Sequence, residues 1–294
     1  IMLSTLMQTM RLPFLLLPPV CVLMGVAASG QASALWSVDF VLLLVGALMA
    51  HISVNMLNEY QDFRSGLDLA TERTPFSGGS GGLPSEPAAA PATLAGAVVA
   101  LALAGLAGVP LAQAHPALWG VGLLGAILIV TYTRQINRMP WLCLIAPGMG
   151  FGLLMVTGAA IVAGASSVME VLACALVVFF LVNNLLLANQ FPDIRADRDH
   201  GREHLLIRYG ERAGVQAYAL MTFATAAVLL VAVATGIWPR WALLALLPWG
   251  LTLVTLVSLW QLGGDIAQRP QALAMNVMAT LLTPLVLALI LLLS

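Results

Sequence analysis

The chain contains no lysine, so its positive charge rests on twelve arginines alone. A GC-rich genome accounts for that bias as well as any mechanism does. Charge of either sign is scarce, at 9% of residues, where a soluble domain carries about 25%. With 61% hydrophobic residues and a mean hydropathy of +0.97, the chain cannot cover a water-facing surface. A soluble globular fold is thereby excluded, and a polytopic membrane protein is expected. Cysteine is nearly missing: Cys21, Cys143 and Cys174 lie singly in apolar runs without C-x-x-C spacing, so they read as packing residues. No G-K-[ST] follows the glycine-rich stretch 78–82, which excludes a nucleotide P-loop.

What is present, against this apolar background, is a pair of short acidic stretches about 130 residues apart. The first runs Asn55-Met-Leu-Asn58-Glu59-Tyr-Gln-Asp62-Phe-Arg64-Ser-Gly66-Leu-Asp68, and the second Asn189-Gln-Phe-Pro192-Asp193-Ile-Arg195-Ala-Asp197-Arg198-Asp199-His200-Gly201-Arg202. A carboxylate costs roughly 2.5–3.5 kcal/mol at mid-bilayer on insertion scales. Two clusters near hydrocarbon therefore require a compensating cation.

Apolar runs of about 20 residues predict an all-α fold of nine transmembrane helices near 12–29, 38–57, 93–113, 117–133, 141–164, 168–188, 213–235, 240–260 and 272–293. Arg11 before an apolar run, with Ala32-Ser33-Ala34 after it, imitates a secretory signal, but the architecture works better if this segment is the first span. Nine spans put Arg11, Arg64, Arg73, Arg134, Arg138, Arg195, Arg198, Arg202, Arg208, Arg212 and Arg269 on one side and only Arg240 on the other. The positive-inside rule then places both acidic stretches in the cytoplasm. Eleven of the thirteen acids share that side, leaving Asp39 and Glu170 opposite. The two long connections there, about 58–92 and 189–212, are expected to cap the bundle. Within the first, Thr74-Pro75-Phe76-Ser77-Gly78-Gly79-Ser80-Gly81-Gly82 is either a flexible linker or a phosphate-cradling lid.

If the second span continues as a helix, His51, Asn55, Asn58 and Asp62 share one face. Asn189, Asp193 and Asp197 repeat at i+4, although Pro192 interrupts that helix. Asp68, past Gly66, is expected to aim back from a turn. Solvated, helix-capping loops would explain one such cluster, but two on the same side of a bundle point to a shared site. Oxygen donors without cysteine suit Mg²⁺, which binds through one or two carboxylates plus substrate phosphates. A phosphorylated substrate with a greasy remainder follows.

These residues resemble the UbiA superfamily of intramembrane prenyltransferases, nine-helix proteins with two aspartate-rich motifs on cytoplasmic loops. The resemblance covers essentially the whole chain and implies a single domain over 1–294. The first family motif, N-D-x-x-D with a further Asp, matches Asn58-Glu59-Tyr-Gln-Asp62 and Asp68; the second, D-x-x-x-D-x-x-x-G-K, matches Asp193-Ile-Arg-Ala-Asp197-Arg-Asp-His-Gly201-Arg202. The spacing to Asp68 looks like the menaquinone-type (1,4-dihydroxy-2-naphthoate) branch. The resemblance implies Mg²⁺ ligands at Asn58, Asp62, Asp68, Asp193 and Asp197, with Asp62, Asp68, Asp193 and Asp197 catalytic. It also implies diphosphate binding by Asn58, Arg11, Arg64, Arg134, Arg138, Arg202 and Tyr132. The implied reaction is transfer of an isoprenyl group from a prenyl diphosphate to a small aromatic acceptor, in quinone biosynthesis at a bacterial inner (plasma) membrane, without nucleic acid. Glu59 and Arg202 stand where the family has Asp and Lys, preserving charge. The acidic G-x-G-[DE] element of the menaquinone-type fifth span is missing from Pro140-Trp-Leu-Cys-Leu-Ile-Ala-Pro147-Gly148, which leaves the acceptor open. Acceptor-free cyclisation by a terpene cyclase, and an ion-coupled transporter using His51 and Asn55, are the rival readings. The D-G-x-x-A-R signature of CDP-alcohol phosphotransferases is absent.

Overall fold

The computed structural model describes residues 2–294, and no strand occurs among them. Among the described residues eight helices are long and apolar enough to cross a membrane: α1 (Leu12–Ser29), α2 (Val38–Ser65), α3 (Pro87–Ala114), α5 (Pro140–Val162), α6 (Val168–Gln190), α7 (Glu211–Ala234), α8 (Arg240–Gln268) and α9 (Pro270–Leu293). The fourth expected span is the shorter helix α4 (Ala117–Thr131), followed by a turn. At 1.5 Å per residue α4 reaches roughly 22 Å, short of a hydrocarbon core of about 30 Å. The protein is an integral membrane protein with an all-α bundle.

Length decides where the first acidic stretch lies. The 28 residues of α2 extend roughly 42 Å, so the last two turns overshoot the apolar layer. Ser37 starts this helix, its Oγ accepting from the Phe40 amide at 3.1 Å. Arg64 lies in its last turn, where it favours the negative end of the helix dipole.

α6 is the most enclosed span. Cys174, Val178, Leu181 and Val182 pack with Cys21 and Met24 of α1, Leu229 of α7 and Leu287 of α9. Its buried amides reach between helices: Asn184 Nδ2 donates to Tyr218 O at 3.0 Å and Thr222 Oγ1 at 3.0 Å. Tyr218 Oη in turn donates to Asn276 Oδ1 at 2.6 Å. Such bonds between spans replace the water that lipid cannot supply. Glycine permits close approach here. A Cβ on Gly152 would lie 2.6 Å from Phe179 N and 2.7 Å from Ala175 O of α6.

α5 is not uniformly α-helical. Pro147 lies inside it, and Met149–Val156 is wound as a π-helix. Proline cannot donate to the ladder, and π-turns recur near functional sites. This segment carries Phe151, whose ring meets the His51 imidazole edge-on at 4.9 Å.

Candidate active site

The arginine-rich ends of α1, α2, α4 and α6 enclose a cavity of about 160 Å³, capped by the two long connections. The α2 face enters it as periodicity predicts: His51, Asn55, Asn58 and Asp62 all line the cavity. α2 ends at Gly66, and Asp68 enters from the next turn, Leu67–Ala70. The second acidic stretch does not form one continuous face. α6 stops at Gln190, the chain turns through Phe191–Asp193, and a new helix spans Ile194–Asp199. Pro192 sits in that break, as its missing amide requires. The bend still brings Asn189, Asp193 and Asp197 to the cavity wall.

The two motifs are joined by an internal cation. Arg202 Nη2 donates to Asp62 Oδ1 and Oδ2 at 2.6 and 2.7 Å, and Nη1 donates to Asp197 Oδ1 at 3.0 Å. Burial works against this guanidinium's charge, but Asp62 and Asp197 outweigh it and hold the group more firmly protonated. A planar fork can bridge two carboxylates in this way. Asp197 is completed by His204, whose Nε2 lies 2.9 Å from Oδ2. His204 forms no zinc spacing with His51 and His200 and is not among the residues the family resemblance implies; its position two residues beyond Arg202 is the one local signal for it.

Glu59 has a different task from its neighbours. Fully buried, it accepts from Arg11 Nε at 2.7 Å, Ser80 N at 2.8 Å and Ser80 Oγ at 2.7 Å. It thereby latches the glycine-rich loop to α2 and fixes Arg11, which is the one non-glycine residue at positive φ among those described (φ 54°). Such a backbone persists only where surrounding contacts over-determine it. Arg11 Nη2 also donates to Asn58 Oδ1 at 3.3 Å, and Asn58 Nδ2 donates to Asp62 Oδ2 at 3.0 Å.

The latched loop seals the acids. The Gly78 amide donates to Asp193 Oδ2 at 3.2 Å. Gly79, at φ 75°, lies so close to Asp68 that a Cβ would sit 2.9 Å from its Oδ1. The loop is thus held against both acidic motifs, through Gly78 on Asp193 and Ser80 on Glu59. Beneath it, Asp68 Oδ2, Asp193 Oδ1, Asn189 Oδ1 and His51 Nδ1 are buried without a hydrogen-bond partner.

Burial, followed by the charges of Asp62 and Glu59, pushes Asp68 up to about 8. Burial and then Asp197 push Asp193 up to about 7, with the Ser77 and Gly78 hydrogen bonds pulling the other way. The folded metal-free protein thus holds protons that the unfolded chain, with carboxyls near 3.9, gives up. The stabilisation from these protons is complete below about pH 4 and is lost as pH rises through about 7 and about 8. Thermal unfolding in EDTA should fall progressively over that window. Asp68→Asn should flatten the slope, and an unchanged slope would refute the assignment.

The free oxygens suit a hard cation. No three Asp, Glu, His or Cys side chains among the described residues form a preformed metal cage. Mg²⁺ takes few protein ligands and completes its shell with water and phosphate. Asp68 and Asp193 each offer an unpartnered oxygen, whereas Asp62 and Asp197 are engaged by Arg202. Arg11, Tyr132 and Arg202 border the same cavity. Arg64, Arg134 and Arg138, grouped with them by the sequence, instead line a neighbouring cleft of about 640 Å³.

Comparison with known proteins agrees with this architecture. The UbiA prenyltransferase family matches residues 16–277. A search of the curated proteins finds no match. Among solved structures, that of digeranylgeranylglyceryl phosphate synthase has 14% identity and a TM-score of 0.69, covering 100% of this chain and 99% of that one. The UbiA homolog from Aeropyrum pernix K1 has 16% identity and a TM-score of 0.67, covering 92% and 97%. A UbiA homolog from Archaeoglobus fulgidus bound to DMAPP and Mg²⁺ has 14% identity and a TM-score of 0.68, covering 97% and 99%. At these identities the likeness is one of fold.

Proposed function

The chain belongs to the UbiA prenyltransferase family, and on that premise we propose that it transfers an isoprenyl group from a prenyl diphosphate to an aromatic acceptor, in a menaquinone-like quinone pathway. The observation that carries this reading is that both acidic motifs line one cavity and each keeps a carboxylate oxygen without a partner. The A. fulgidus homolog with DMAPP and Mg²⁺ on the same fold supports the choice of donor and metal. The arginine asymmetry supports a cytoplasmic position for the acidic end, in a bacterial inner membrane.

In this mechanism Asp68 and Asp193, together with Asp62 and Asp197, would hold Mg²⁺. When bound, the metal neutralises charge on the diphosphate oxygens and so eases its departure. Arg11 and Arg202 are placed to donate to the same oxygens, and their present partners fix where those donors point. Asn58 positions Asp62 through their hydrogen bond. The isoprenyl tail lies deeper, against Leu17, Phe151, Leu185 and Leu281. There the allylic cation left by C–O cleavage meets little water. The nucleophilic acceptor carbon bonds to that cation and then loses its proton to an acid-loop carboxylate, for which Asp68 is the candidate, or to the pyrophosphate.

The test uses purified protein in nanodiscs with geranylgeranyl diphosphate and phenolic or naphtholic acceptors, with product analysis. Prenylated acceptor that needs Mg²⁺ and vanishes in EDTA is expected. A cyclised hydrocarbon from donor alone would replace the transferase reading with a cyclase. No consumption of donor with any acceptor would end both.

A further inference from the structure

His204 precedes the short helix Leu205–Tyr209, at the position where Ser, Thr, Asp or Asn ordinarily bonds to the first free amides. Its side chain makes no such bond, although the residue is buried. The imidazole turns instead to the second acidic motif. Nε2 lies 2.9 Å from Asp197 Oδ2, and Nδ1 is buried without a partner. The other Asp197 oxygen, Oδ1, receives Arg202 Nη1 at 3.0 Å. Backbone bonds on both sides fix the ring. The Glu203 amide donates to Asn137 O at 3.0 Å, and the His204 carbonyl accepts from the Ile207 and Arg208 amides at 3.1 Å each. Leu205 and Leu206 then sink into the core with Phe191 and Tyr218. Asp197, by contrast, stands on the six-residue helix Ile194–Asp199 that follows the Pro192 break.

We propose that His204 is a positioning residue that holds Asp197 Oδ2 and leaves Oδ1 as the single oxygen this acid offers to a divalent cation. A carboxylate only accepts, so Nε2 is the donor of the pair. While His204 keeps Oδ2, the carboxylate cannot turn both oxygens to one ion. Asp193 is arranged in the same way by a different group: the Gly78 amide holds its Oδ2, and its Oδ1 has no partner. Both acids of the second motif are thus tied at one oxygen and offered at the other. Such one-oxygen ligands suit Mg²⁺, which needs its remaining places for phosphate and water. Donors behind a metal ligand change metal affinity or activity by about 10–100-fold when removed. The inference rests on the reading of Asp197 as a metal ligand given above.

Metal binding is read apart from turnover. Mn²⁺ alone is titrated into the full-length protein in nanodiscs, with the free ion followed by electron paramagnetic resonance. His204→Phe keeps a ring but has no donor, and is expected to bind Mn²⁺ at least about tenfold more weakly. His204→Gln, whose amide can reach Oδ2, should recover most of that loss. On an Asp197→Asn background, adding His204→Phe should weaken binding no further, because a residue acting through Asp197 has nothing left to position. This last pair leaves no stranded carboxylate, so it decides the matter even where His204→Phe alone fails to fold. In turnover assays the Mg²⁺ concentration for half-maximal rate should rise in His204→Phe by a similar factor, whereas a purely structural role would lower kcat and leave the metal dependence in place. Unchanged Mn²⁺ affinity in His204→Phe, a glutamine variant as weak as the phenylalanine one, or a further loss on the Asp197→Asn background would each overturn the assignment. Wild type that binds no Mn²⁺ would overturn it together with the metal reading. The expected losses in a protein that consumes no prenyl diphosphate would support His204 and count against the transferase reading alone.

Discussion

Asp193→Ala is expected to lower Mg²⁺-dependent kcat/KM by roughly 10²–10³-fold, the scale set by removing one preorganised electrostatic contact. Asp193 is the cleaner of the motif acids to test. Its Oδ2 receives the Gly78 amide and its Oδ1 receives nothing. Asp193→Asn keeps an oxygen for Gly78 and removes only the charge, so an equal loss in both variants would locate the effect in metal binding. Loss in the alanine variant alone would locate it in loop docking. Asp62→Ala should lose a similar factor while also freeing Arg202 Nη2, with Nη1 still held by Asp197. Near-normal turnover by both alanine variants in a pyrophosphate-release assay would defeat the assignment.

Arg202→Ala should be the most destabilising substitution at the site. It strands Asp62 and Asp197, which are 7% and 2% exposed, and breaking a buried ion pair on one side costs about 3–5 kcal/mol. Arg202→Lys supplies the charge but cannot serve both carboxylates at once, so a smaller loss of about 1–3 kcal/mol is expected from the unsatisfied acceptor. Thermal unfolding in EDTA reads both. Added Mg²⁺ should recover part of the alanine loss, because a divalent cation can take over the role of counter-ion. Equal stability of all three proteins without metal would show that Arg202 holds nothing together.

The sequence already contained the requirement for a cation between the acidic stretches, because hydropathy and the position of the acids state it. It did not reveal that an arginine meets that need until metal and substrate arrive. That pairing joins Asp62 to a residue 140 positions away, and no local period encodes it. The α2 face was legible because one unbroken helix fixes the azimuth of His51, Asn55, Asn58 and Asp62. On the other side Pro192 broke the period, and only the fold shows how Asn189, Asp193 and Asp197 regroup. Glu59 looked like a lengthened motif acid, yet its extra methylene spans the gap to Ser80 and Arg11. Arg64, Arg134 and Arg138, grouped with Arg11 and Arg202 through the family resemblance, line an adjoining cleft that no sequence motif distinguishes from the cavity. The cavity wall is not written in short motifs at all, since its residues are drawn from α1, α2, α5, α6 and α9.

The π-wound stretch Met149–Val156 gives that wall an unusual kind of adjustability. A wide turn holds a surplus residue relative to ordinary helical pitch. Removing one amino acid there would tighten the coil without moving either end of α5, yet would swing Phe151 off His51. Substrate preference could therefore shift between descendants of this chain by a single-codon deletion, with every acid and arginine left in place.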